Sequence, residues 1–159
     1  MAMRSSLIIA ATLILSLVLA VMPVSAMLEL YRPMWLALVL AYWVLVLPHR
    51  VGLLTAWISG LACDVLYGQL LGQHALALTL VATMVLLLQN RLRRGPLWQQ
   101  ALILLPVLGI SQLVLLWLNS LSGSRPPSLL FMLPVPVSAL LWPWVYSILA
   151  ALRKRYHVH

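Results

Sequence analysis

The feature that most constrains this chain is a succession of apolar runs, each near the length of helix that crosses a bilayer, separated only by short breaks. A hydrocarbon core about 30 Å thick needs roughly 20 residues of helix. Runs of that kind cover residues 7–24, 30–47, 51–71, 75–88, 98–117 and 129–152. The second closes at Pro48, whose missing N–H suits a helix end. The expectation is an all-α membrane protein with about six transmembrane helices, built as a single polytopic domain over residues 1–159. Composition agrees, because 64% of the residues are apolar and 8% are charged. A soluble domain needs about a quarter of its residues charged to clothe its surface.

The first run invites a second reading as a cleaved signal peptide, with Arg4 ahead of it and Val24-Ser25-Ala26 as a cleavage site. Its apolar stretch is longer than the usual core of about 7–15 residues, which favours an uncleaved helix. Cleavage would leave five helices and the same orientation. The remaining breaks are too short to hold a second domain, and the longest runs from Asn119 to Ser128.

Ten Lys and Arg stand against two acids, Glu29 and Asp64. In a soluble protein that imbalance would suggest nucleic acid, but here the basic residues fall in the breaks, as membrane topology demands. With the N-terminus inside, the inner set is Arg4, Arg50, Arg91, Arg93, Arg94, Arg153, Lys154 and Arg155, and the outer set is Arg32 and Arg125. Both termini are therefore expected in the cytoplasm. Trp98 and Trp117 bracket the fifth run at a spacing that puts them near opposite interfaces.

Asp64 is the most informative single residue. A carboxylate at a helix centre costs about 2.5–3.5 kcal/mol on insertion scales, so it needs a partner or a role. Structural roles are capping a neighbouring helix or pairing with Arg32, His74 or Arg125; the sharper alternative is a proton or cation site. Structural pairing is favoured because no companion carboxylate is in sight. Asp64 also belongs to a four-residue repeat, Gly52, Ala56, Gly60, Asp64, Gly68 and Gly72. Small residues at that spacing let helix backbones approach closely. The face serves packing within the bundle or an interface to another protein, and Gly68 and Gly72 have a second reading as part of the outer turn.

Pro33 and Pro48 punctuate the second helix, whereas Pro106, Pro134, Pro136 and Pro143 lie within apolar runs. There they remove helix hydrogen bonds, so the last helix is expected to bend or lose regularity. Trp142-Pro143-Trp144 offers either a flat aromatic surface or ordinary packing, with packing favoured. His49, His74, His157 and His159 are dispersed and suggest no metal site. No cofactor is expected. The cluster Arg153-Lys154-Arg155 should attract anionic lipid, with docking of a cytoplasmic protein as the lesser alternative. No nucleophile–base set, phosphate loop or zinc motif is visible, so the chain is not expected to be an enzyme.

Beyond that, an ordered set of segments carries a family resemblance. They are Arg32-Pro33-Met34-Trp35, Leu47-Pro48-His49-Arg50-Val51, Gly60 through Asp64, Tyr67-Gly68, Leu71-Gly72, Trp98-Gln99-Gln100-Ala101-Leu102 and Leu141-Trp142-Pro143-Trp144. Together they resemble the rod shape-determining protein MreD family, in its proteobacterial form. The first run and the outer loop match only in character. Gln112 stands midway along the fifth run where some family members carry an acid, which counts against a charge-based mechanism there.

The resemblance implies a non-enzymatic inner-membrane subunit of the cell-elongation machinery. Its expected partners are MreC directly, then MreB, RodA and a penicillin-binding transpeptidase in a wider complex that builds lateral-wall peptidoglycan. A homodimer is left open. The implied fold is similar to the substrate-binding subunits of energy-coupling-factor transporters. Partner-binding or structural roles are expected for Arg32, Pro33, Gly60, Asp64, Gly68 and Gly72, with Arg91, Arg93, Arg94, Arg153, Lys154 and Arg155 as a cytoplasmic basic cluster. The alternative is a solute-binding subunit or small transporter, for which the interior polar set is Asp64, Thr55, Ser59, Thr79, Thr83, Ser111 and Gln112.

Overall fold

A computed structural model describes residues 2–21, 35–47, 52–67, 72–121 and 134–156. These residues form six helices: α1 (Ala2–Val21), α2 (Trp35–Val46), α3 (Leu53–Tyr67), α4 (Gln73–Arg94), α5 (Leu97–Leu121) and α6 (Pro134–Tyr156). Three stretches are long and apolar enough to cross a membrane, Gln73–Arg94, Leu97–Leu118 and Val135–Tyr156. Shorter apolar helices span Met3–Leu19, Trp35–Val46 and Leu53–Leu66, each bordered by residues outside the described set.

The bundle is organised around α2. Every residue from Leu36 to Leu45 is buried, as expected of a helix that is apolar all round. It packs against α1, α4 and α6, while α3, α4, α5 and α6 each pack on the next. Large apolar side chains point outward elsewhere, among them Leu54, Leu87, Leu140 and Ile148. A surface of that kind is stable against lipid tails rather than water. Trp98 and Trp117 are exposed near the two ends of α5, where amphipathic indoles favour the interfaces.

One helix runs well past the apolar stretch that announces it. The fourth apolar run ends at Leu88, yet α4 continues through Gln89, Asn90 and Arg91 to Arg94. Straight polar side chains are good helix formers, and three arginines in the last turn face the negative end of the helix dipole. The helix stops at Gly95-Pro96, because Pro96 cannot extend it and disfavours α geometry in the residue before. The Pro96 carbonyl then accepts from the Gln99 and Gln100 amides and opens α5.

The prolines of the last run do not break it. Pro134 and Pro136 fall in the first turn of α6, where backbone N–H groups have no helical acceptor to lose. Pro143 lies mid-helix, and α6 is helical through it. Its carbonyl accepts from the Ser147 hydroxyl at 2.8 Å. Trp142 is buried and Trp144 is exposed, so the two indoles do not form one aromatic surface.

The small-residue face of α3 is directed at α4. Ala56, Gly60, Cys63 and Asp64 are all buried, with Gly60 tightest: a Cβ there would lie 2.2 Å from the Ala75 Cα. Gly52 precedes the helix, Gly68 lies outside the described residues, and Gly72 belongs to the start of α4. In an open helix Gly→Ala gains about 1 kcal/mol. Gly60→Ala should instead destabilise the protein in detergent by about 1–3 kcal/mol, because the α4 backbone must shift to admit the methyl. A thermal or denaturant midpoint at or above the parent value would contradict this contact.

Candidate functional site

The carboxylate of Asp64 sits where α3 meets the start of α4. Asp64 is completely buried. Its Oδ2 accepts the Gly72 N–H at 2.9 Å, and its Oδ1 accepts the His74 N–H at 2.9 Å. The same Oδ1 lies 2.8 Å from His74 Nδ1, and that pairing places the ring proton on Nδ1. Helix starts leave backbone N–H groups without acceptors, and a carboxylate there satisfies them while meeting the positive end of the dipole. Here the cap comes from a different helix rather than from the local sequence. Gly72 itself supplies no side-chain cap and sits at φ 108°. That left-handed geometry suits glycine and turns its N–H toward Asp64.

Of the three partners expected for Asp64, the structure brings His74. Arg32 and Arg125 lie outside the described residues, as do Pro33, Gly68, His49, His157 and His159. Gly60 works with this site by position: the close approach it permits brings Ala75, and with it the capped end of α4, onto α3. Among the described residues no three His, Cys, Asp or Glu side chains gather into a metal-binding group.

A second set of contacts, unseen in the sequence, ties the other helices together. Trp43 on α2 donates Nε1–H to the Thr12 hydroxyl of α1 at 2.8 Å. Tyr42 packs edge-on against Tyr146 of α6 at 5.2 Å, and Tyr146 meets Trp142 at 5.8 Å. Trp142 donates its indole N–H to Gln100 Oε1 on α5 at 3.0 Å, and Gln100 Nε2 donates to the Leu92 carbonyl of α4 at 2.6 Å. This chain of contacts passes through five helices, and Asp64 adds the sixth. At the C-terminal end of α2, Arg93 donates from both Nε (3.0 Å) and Nη2 (2.7 Å) to the Leu45 carbonyl. Arg93 thereby satisfies a terminal carbonyl that the short helix leaves over. The only advance signal was that Gln100 and Trp142 both fall inside the family-resembling segments.

The basic residues collect at helix ends. Arg91, Arg93 and Arg94 close α4, and Arg153, Lys154 and Arg155 close α6. The Arg4 guanidinium stands over the Tyr156 ring at 5.5 Å, so the N-terminal end of α1 and the C-terminal end of α6 share one end of the bundle.

With this geometry in view, comparison with known proteins is decisive on kinship. A family model described as rod shape-determining protein MreD matches residues 3–152. The chain belongs to the MreD family. It is also 30% identical over 148 residues to the rod shape-determining protein MreD of Haemophilus influenzae, covering 92% of this chain and 90% of that protein. No solved structure matches it. Membership supports a role in rod shape, and the apolar helices agree with a membrane protein. The MreD family is one of structural, shape-determining proteins.

Removing the carboxylate should expose the cost of this cap. Asp64→Ala leaves the part-buried Gly72 and His74 N–H groups without their acceptor, and about 1–3 kcal/mol of stability should go with it. Asp64→Asn keeps one acceptor oxygen and should lose less. Denaturant titration in detergent orders the three proteins, and equal stability of Asp64→Ala and the parent would contradict the capping role.

Proposed function

We propose that this MreD-family chain is a non-enzymatic subunit of the bacterial cell-elongation machinery, seated in the inner membrane with both termini in the cytoplasm. In this reading it holds MreC directly. MreB, RodA and a penicillin-binding transpeptidase belong to the wider assembly, so that the chain supports lateral peptidoglycan synthesis and rod shape. The observation that carries the reading is the family match along nearly the whole chain.

The geometry supports a scaffold form of that role. Asp64, the one carboxylate among the described residues, is committed to three donors of its own chain. The polar contacts of Trp43, Gln100, Trp142 and Arg93 likewise fasten helix to helix. In lipid, where apolar burial does not drive helices together, such contacts and close packing set the shape a partner meets. The proposal extends to an architecture like that of the substrate-binding subunits of energy-coupling-factor transporters, with the bundle holding a protein partner instead of a solute.

Charge supports the proposed orientation. The ends that carry Arg4 and Arg153 to Arg155 meet through Tyr156, and a basic end is retained on the cytoplasmic side of a membrane.

One complementation experiment tests role and topology together. Depleting its own MreD from a rod-shaped bacterium should round the cells, and this chain carrying a reporter after Arg94 should restore rods with the reporter in the cytoplasm. Depleted cells that keep their rod shape and lateral-wall synthesis would overturn the role, and a periplasmic reporter would overturn the orientation.

A further inference from the structure

Arg4 lies in the first turn of α1 and Arg155 in the last turn of α6, at opposite ends of the sequence. Both guanidiniums nevertheless stand near the Tyr156 ring, at 5.5 and 5.8 Å from its centroid. An aromatic face attracts a cation, so the tyrosine biases these two exposed side chains toward one place. Arg153 and Lys154 share the same turn of α6, and the start of α1 adds the positive end of its dipole. The carboxylate of Asp64 is committed at the start of α4, about 30 Å along that helix from its own basic last turn.

We propose that the end of the bundle where Arg4 and Arg155 flank Tyr156 is a discrete site for the phosphate headgroup of one anionic phospholipid. A basic cluster alone draws a diffuse cloud of anionic lipid. Here two guanidiniums from different helices are pre-positioned on one ring, which lowers the ordering cost of gripping a single phosphate with paired N–H donors. The surface beside the cations favours a lipid over an acidic protein segment. Leu7, three residues after Arg4, is 64% exposed, and Ile148, seven residues before Arg155, is 66% exposed. Those spacings put each apolar side chain on the same helical stripe as its arginine. A headgroup held between the arginines therefore has apolar surface along which to lay its acyl chains, and an acidic peptide would not use it. The site stands apart from the role in cell elongation, since it rests on the helix ends alone.

Native mass spectrometry of the full chain, released from detergent at ~0.15 M ionic strength where charges beyond about 8 Å are screened, tests the proposal with phosphatidylglycerol and phosphatidylcholine as probes. One phosphatidylglycerol per chain should be retained ahead of phosphatidylcholine. Arg4→Ala and Arg155→Ala should each weaken that first lipid about five-fold, the loss of roughly one charge's attraction, and Tyr156→Leu, which keeps both charges but releases the guanidiniums, should weaken it by less than either. Arg4→Lys should keep most of the affinity. Arg94→Ala, on the α4 helix that packs against α2, should change it less than two-fold. Arg155 is exposed at a helix end, so its variant reads the site even where the Arg4→Ala change weakens the fold. Equal losses from Arg94→Ala and Arg155→Ala would show a diffuse field in place of a site. Equal retention of the two lipids, or preference for a soluble polyglutamate peptide, would overturn the proposal as well.

Discussion

A buried carboxylate is cut off from water, so it must find its donors within its own chain. Asp64 does this by reaching from α3 to the start of α4, where the Gly72 and His74 amides need an acceptor as much as the carboxylate needs donors. Each group removes the cost of burying the other. The arrangement works only if the two helices meet closely, and Gly60 permits that approach against Ala75. Gly72 then turns its N–H inward from a left-handed conformation. Three residues of the four-residue repeat thus serve one junction.

The same constraint explains the rest of the bundle. α2 is too apolar to specify its neighbours by charge, so a few directional hydrogen bonds do it: the Trp43 indole finds Thr12, and Arg93 comes from α4 to cover the Leu45 carbonyl. Gln100 joins three helices at once, accepting from Trp142 and donating to Leu92. Contacts of this kind are few and directional. They fasten helix to helix in a molecule that carries many large apolar side chains on its outside. The charged ends stay outside this interior.

Much of the architecture was legible because lipid imposes a simple rule on sequence. Apolar runs of bilayer length led directly to six helices, and Asp64 stood out because an acid in such a run needs a local explanation. Three things were not legible. The extension of α4 to Arg94 uses polar residues that an apolar count excludes, although they are good helix formers. The prolines of α6 read as breaks, but two fall where no hydrogen bond is lost, and only their position in the first turn reveals that. The Gln100–Trp142 bond joins residues 42 positions apart, and nothing in periodicity or charge points one at the other. The spacing of glycines left packing and partner binding equally open, while the structure places Ala56 and Gly60 inside the molecule.

Backbone amide exchange, followed residue by residue in a nanodisc, addresses the Asp64 junction most directly. The Gly72 and His74 amides sit at a turn, where open amides exchange freely, yet both are held by the buried carboxylate. They should exchange as slowly as amides in the middle of α4. Exchange at the rate of an exposed loop would mean that Asp64 does not close this helix start, and the account of the α3–α4 junction would fail.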